Sequence, residues 1–180
     1  MKNFSTLLGY ALLVSSVAAD PSPEAEKFLA VEGTVKTSLG MEDTKFPHAS
    51  LPEPATKILE GLYWGGDGSL PAHFYGHALD LNGDGSPEYF LKTTGGGSGG
   101  PAYILIGRDK GEWRKLRDFQ GIFHVLKAEE KSWPKLVTTS KGGGGNFCKR
   151  HFEFENGAYV ETLRENFKRG EIVTKVRPPR

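Results

Sequence analysis

Asp80-Leu81-Asn82-Gly83-Asp84-Gly85-Ser86-Pro87-Glu88 is the stretch on which the reading of this chain turns. Its oxygen-bearing side chains sit at alternating positions of a glycine turn. That spacing folds oxygens inward around a hard cation, and calcium takes six to eight of them. Asp80, Asn82 and Asp84 offer side-chain oxygens, Ser86 its carbonyl, and Glu88 closes the set directly or through water. Gly85 turns where a Cβ would clash. The loop is not an EF-hand, because the twelfth position, which should be a bidentate Glu, is Leu91. His77-Ala78-Leu79 leads in, and Tyr89-Phe90-Leu91 leads out with residues of strand type. The expected unit is strand, calcium loop, strand. A plain polar turn also uses Asn-Gly and Asp-Gly. A turn alone gives no reason for three clustered carboxylates, which repel without a cation.

Short strands and glycine turns continue downstream. The pattern predicts strands at Ala72–Leu79, Glu88–Thr93, Ala102–Arg108, Glu112–Asp118, Ile122–Lys127, Lys135–Thr139, Cys148–Glu155, Ala158–Arg164 and Ile172–Val176. Asp109-Lys110-Gly111 and Glu155-Asn156-Gly157 are hairpin turns. Best core candidates are Tyr103, Leu105, Trp113, Phe123, Leu136, Phe152, Phe154 and Tyr159. Upstream, Ala55, Ile58, Leu59 and Leu62 follow helical spacing, with Pro54 in the first turn. Glu24–Val31 reads as a short helix, Gly33–Leu39 as a strand, and Pro47, Pro52 and Pro54 as punctuation of a loop.

The expected fold is therefore mainly β, or a β-rich α+β fold. Its antiparallel sheets form a sandwich or a partial-propeller-like stack, with a short N-terminal helix. The expected organisation is a leader at 1–19, a partly irregular lead at 20–54, a β-rich domain at 55–176 and a basic tail at 177–180.

A weak repeat runs through the β-rich part with an offset of 46 residues, the distance from Leu91 to Val137. Leu91–Thr94 aligns with Val137–Ser140, Gly95–Gly100 with Lys141–Asn146, and Gly111 and Trp113 with Gly157 and Tyr159. Repeats of this period indicate stacked β-units. Two glycine-rich hairpins would also resemble one another without common descent.

The order of these features over roughly 72–165 resembles small secreted bacterial proteins of the VCBS and FG-GAP type. Only the 80–88 loop is a specific motif of that resemblance. FG-GAP propellers carry several such loops where this chain has one, and the chain is too short for a full propeller. The resemblance implies a calcium-binding β-domain that acts by binding.

Met1–Ala19 has the form of a secretory leader: Lys2, an apolar stretch from Leu7 to Val14, and small residues before Asp20. The stretch is too short to span a bilayer. No cysteine stands at its cleavage point, so no lipid anchor is expected, and the location expected is secreted or periplasmic. The chain has 23 basic and 22 acidic residues; without Lys2 the count is 22 against 22. That balance gives no bulk attraction to nucleic acid or membranes. The only cysteine, Cys148, cannot form an internal disulfide.

Other motifs carry less. The 95–100 glycine tract contains G-x-G-x-x-G, but Pro101 and a strand follow where a dinucleotide site needs a helix. His73 and His77 are four apart, yet on a strand they stand too far apart to chelate easily, and zinc needs three or four convergent ligands. No catalytic residue is identified. The glycine tracts would present Ser98, Tyr103 and Asn146 to a protein or glycan partner. Ser98-Gly99 with Tyr103 distantly resembles the Ser-Gly…Tyr loops of bacterial lysozyme inhibitors. An enzyme inhibitor, and an exported hydrolase with an unrecognised site, are the alternative readings.

Overall fold

The computed structural model describes residues 35–39, 43–62, 69–93, 99–169 and 171–179. The leader, the Glu24–Val31 helix and Ser98 lie outside these residues. The strands are β1 (Val35–Leu39), β2 (Thr44–Pro47), β3 (His73–Leu79), β4 (Glu88–Lys92), β5 (Ala102–Asp109), β6 (Glu112–Gln120), β7 (Ile122–Leu126), β8 (Leu136–Lys141), β9 (Asn146–Glu155), β10 (Ala158–Lys168) and β11 (Glu171–Val176). One α-helix, α1 (Glu53–Glu60), is described.

Two antiparallel sheets form a sandwich. One has the order β2-β3-β4-β5-β6 and the other β1-β7-β8-β9-β10-β11. The chain completes the first meander, crosses through Gly121 and builds the second. The mainly β architecture expected from the sequence is the one observed, and it is a sandwich. Eleven of the twelve described strand and α-helix positions are legible in the sequence, but β2 is not: its segment reads as a proline-punctuated loop, yet Thr44–Pro47 pairs with β3 at the sheet edge. Proline is compatible with such an edge because its missing N–H can face outward. β1 and β2 also carry both sheets into the 20–54 lead.

The 46-residue offset lays the strand–loop–hairpin unit β4-β5-β6 on β8-β9-β10. The hairpin turns match in detail: Lys110 and Gly111 have φ of 52° and 85°, Asn156 and Gly157 of 53° and 84°. Two successive left-handed residues are what a tight two-residue hairpin requires.

Alternation along the strands sends aromatic residues into the layer between the sheets. Tyr103, Leu105, Phe123, Leu136, Phe152 and Tyr159 are all buried there. Phe90 of β4 stacks on Phe123 of β7 with centroids 4.2 Å apart, and Phe119 meets Phe152 edge-on at 5.0 Å. Burying one such side chain contributes about 1.5–3 kcal/mol. Phe154 stacks on Trp133 at the margin of this core. Trp113 instead faces the opposite side of its sheet. There α1 lays Ala55 and Leu59 over Phe74, Leu91, Ile104 and Ile106. Pro54 stands in the helix's first turn, where its missing N–H costs nothing.

Antiparallel pairing sorts the connections by end. The 80–87 loop, the two tight hairpins and the β7–β8 connection share one end. The described parts of the 93–101 connection, the Gly142–Gly145 loop and the β10–β11 turn share the other.

Candidate functional site

The 80–88 loop is built from its own backbone. Asp80 Oδ1 accepts N–H bonds from Gly83 (2.8 Å) and Asp84 (3.1 Å), and Oδ2 accepts one from Gly85 (3.0 Å). Asn82 Oδ1 accepts from Asp84 N–H, and Asp84 Oδ1 from Ser86 N–H at 2.8 Å. Asn82 Nδ2 donates to Asp84 Oδ2. Gly85 has φ +85°, as the turn demands. Three backbone donors thus fix the Asp80 carboxylate before any ligand arrives.

Glu88 behaves differently. It begins β4 on the core-facing side and is fully buried. Its Oε2 accepts the Leu81 N–H at 2.8 Å, while Oε1 is buried without a hydrogen-bond partner. Gly107 of β5 makes room for it: a Cβ there would come within 2.4 Å of Glu88 Cγ. Burial above all pushes the Glu88 pKa up to about 7; the Leu81 bond works against this, and the charges of Asp84 and Asp80 add to it. A buried carboxyl with one orphaned oxygen is costly unless something neutralises it.

These residues suit a hard cation chemically: every donor is an oxygen, the glycine turn is formed, and an unpaired buried carboxylate oxygen adjoins it. Asp80, Asn82, Asp84, the Ser86 carbonyl and Glu88 would hold the ion, which would supply positive charge to the loop. Among the described residues no group of three carboxylate, imidazole or thiol side chains is gathered as a metal cluster. The convergence expected on one centre is therefore not drawn in this structure.

At the opposite end, described residues of the two glycine loops share one cleft. Gly99, Gln120, Gly142, Asn146, Cys148 and Asn166 line a common cleft of about 400 Å³. The backbone of Gly99 lies directly on the Gln120 amide, where a Cβ would come within 2.4 Å of Nε2. Asn146 is exposed at this cleft. Tyr103 requires a correction. Its ring is buried between the sheets and its hydroxyl donates to Asp43 Oδ1 at 2.7 Å, so it is not part of the loop surface. The reason is strand parity: Tyr103 shares the inner face with Leu105. Cys148 is a free thiol with intermediate exposure. It and His151 lie on opposite faces of β9, so they do not form a thiol–imidazole pair.

Two polar clusters were not legible in the sequence. Asp43 reaches from the start of β2 to Lys92 Nζ (2.7 Å) and the Tyr103 hydroxyl. His77 Nε2 stands 3.2 Å from Asp43 Oδ1, off the hydrogen-bond direction. Burial raises the Asp43 pKa, but its bonds to Lys92 and Tyr103 and the charges of Lys92 and His77 outweigh that and hold it low. Burial lowers the His77 pKa, with Asp43 opposing. On the outer face of the six-stranded sheet, His151, Glu165 and Lys175 link three neighbouring strands. Both clusters join residues far apart in the chain, and no local motif announces them. No described helix is long and apolar enough to cross a membrane.

Comparison with protein families, characterised proteins and solved structures finds no match for this chain.

Proposed function

We propose that this chain is an exported, calcium-binding β-sandwich that acts as a binding protein without chemistry of its own. The observation that carries the proposal is that Gly99 of one glycine loop and Gly142 and Asn146 of the other line one cleft, away from the 80–88 loop. Backbone groups, carboxamides and an exposed asparagine are recognition chemistry suited to a protein or glycan. The calcium reading is supported by the pre-fixed Asp80 carboxylate and the unpartnered Glu88 oxygen. Calcium would neutralise the acidic loop and tie β3 to β4. The resemblance to VCBS and FG-GAP proteins and the leader at 1–19 support the exported location.

Two measurements test this. Calorimetry should show calcium binding that Asp84→Ala abolishes; no heat at millimolar calcium would reduce the loop to a turn. Arrays of exported proteins and of glycans, probed with the intact chain and with a Gln120→Ala/Asn146→Ala variant of unchanged melting temperature, should show a partner lost in the variant. Equal binding by both would remove the cleft from the function.

A further inference from the structure

We propose that the outer face of the six-stranded sheet carries a second binding site, one for a small amphiphilic carboxylate. A cavity of about 570 Å³ lies on that face, lined by Leu126, Val137, His151, Leu163, Arg177 and Pro178 among others. Register explains the grouping. Val137 of β8 is aligned with His151 of β9, and His151 with Leu163 of β10, so the three side chains form one row across the sheet. Arg177 and Pro178 enter from the chain just after β11.

His151 of the cavity lining is held in place by two residues beside the cavity. His151 Nε2 is 3.1 Å from Glu165 Oε2, and Glu165 Oε1 is 3.1 Å from Lys175 Nζ. A carboxylate bonded on both oxygens and only 11% exposed fixes the imidazole in place. Imidazole orientation by a buried carboxylate is a device of sites that must present the ring to a ligand.

Charge selects the ligand. Glu165 is answered by Lys175, and Glu153 by Lys135 at 2.7 Å. Arg177 has no acidic partner among the described residues. Of the lysine, arginine and acidic residues lining the cavity, Lys135 and Arg177 are cations and Glu153 is the carboxylate, which leaves a surplus of one positive charge on an exposed guanidinium. A planar guanidinium takes a carboxylate through two parallel N–H bonds. Leu126, Val137, Leu163 and Pro178 would cover an alkyl or aryl body beside it, which is the mixed apolar and polar lining of small-molecule sites. This site lies on a different face from the glycine-loop cleft and does not depend on calcium.

The test uses the full chain, 15N-labelled, titrated with octanoate and separately with 1-octanol. Octanoate should give saturable shifts of the Val137, Thr162 and Leu163 amides and the His151 ring, with octanol binding about tenfold more weakly. Arg177→Gln should weaken octanoate by about tenfold, the loss of one charge-assisted contact, and leave octanol unaffected. Arg177 is exposed and follows the last strand, so this variant keeps the fold, which an unchanged melting temperature confirms. No saturable shift at these residues, equal affinity for octanoate and octanol, or undiminished octanoate binding by Arg177→Gln would each overturn the proposal.

Discussion

Glu88→Gln should remove the Glu88 part of the pH dependence of stability in the metal-free protein. The native Glu88 carboxyl titrates at about 7, against 4.5 for its ordinary value. The folded-state pKa is therefore raised, and for an acid this sets the sign. Between about pH 4.5 and 7 the unfolded chain releases this proton while the native protein keeps it, so the native state loses ground as pH rises. At 1.36 kcal/mol for each pH unit of that interval, the loss is about 3 kcal/mol by pH 8. That is a large share of a stability of about 5–15 kcal/mol. Glutamine keeps an acceptor for the Leu81 N–H and cannot ionise.

Urea unfolding in the presence of a chelator, at about pH 5 and about pH 8, reads this directly through the midpoint at constant slope. The wild type should be weaker at the higher pH. Glu88→Gln should lack the Glu88 component of that difference and be more stable than the wild type at pH 8 by about 2–3 kcal/mol. Adding calcium at pH 8 should restore the wild type and leave Glu88→Gln unmoved, because ligand bound only by the native state stabilises it. Equal pH dependence of the wild type and Glu88→Gln would refute this role of Glu88.

Calcium at about a hundred times its dissociation constant should stabilise the wild type by about 2.7 kcal/mol, and Asp84→Ala should show no such gain in a thermal melt. Gly107→Ala would drive a methyl into Glu88 Cγ and Leu116 Cδ1, at 2.4 and 2.8 Å, and should cost about 1–3 kcal/mol by urea unfolding. Asp43→Ala would strip Lys92 and the buried Tyr103 hydroxyl of their common acceptor; it should cost about 2 kcal/mol, and Tyr103→Phe about 1 kcal/mol, by the same assay. Because the Asp43 pKa is held low, its contribution is present at neutral pH and is lost as pH falls below the ordinary aspartate range.

Period-two alternation announced the sheets because one face of each strand meets a core. Tyr103, Leu105, Phe123 and Tyr159 could be placed inside from pattern alone, and Asp-Lys-Gly and Glu-Asn-Gly marked two hairpins. β2 escaped because four residues ending in proline carry no alternation to read; its place is set by pairing with β3. Nearness to a glycine tract is what suggests Tyr103 as a partner-facing residue, but it says nothing about which face a side chain takes, and strand parity turns Tyr103 inward. Glu88 was read as the ninth position of a polar loop. Its second character, a fully buried acid at the head of β4, follows from Gly107 opposite, nineteen residues away in sequence. The Asp43 and Glu165 clusters are assembled by sheet order alone.

The repeat gives the loop its structural meaning. If β3-β4-β5-β6 and β7-β8-β9-β10 are equivalent meanders, the 80–87 loop and the β7–β8 connection occupy equivalent places, one in each sheet. They are in contact: the Gly83 Cα side faces Lys131, and Leu81, Asn82 and Gly83 line a shared cavity with Lys127–Ser132. The second connection has none of the first one's alternating acids. It closes its end of the sandwich with Trp133 stacked on Phe154, while Tyr159 donates to the Pro134 carbonyl at 3.0 Å. One meander thus seals its end with aromatic packing. The other has at the same place a loop with three acidic residues, one of them buried with one oxygen unpaired. Aromatic packing needs no ligand, whereas the acidic end leaves electrostatic repulsion and a desolvated oxygen that only protonation or a cation relieves. The asymmetry between two otherwise matching ends is therefore a physical reason to expect that ligand-dependent stability in this sandwich resides in the first meander.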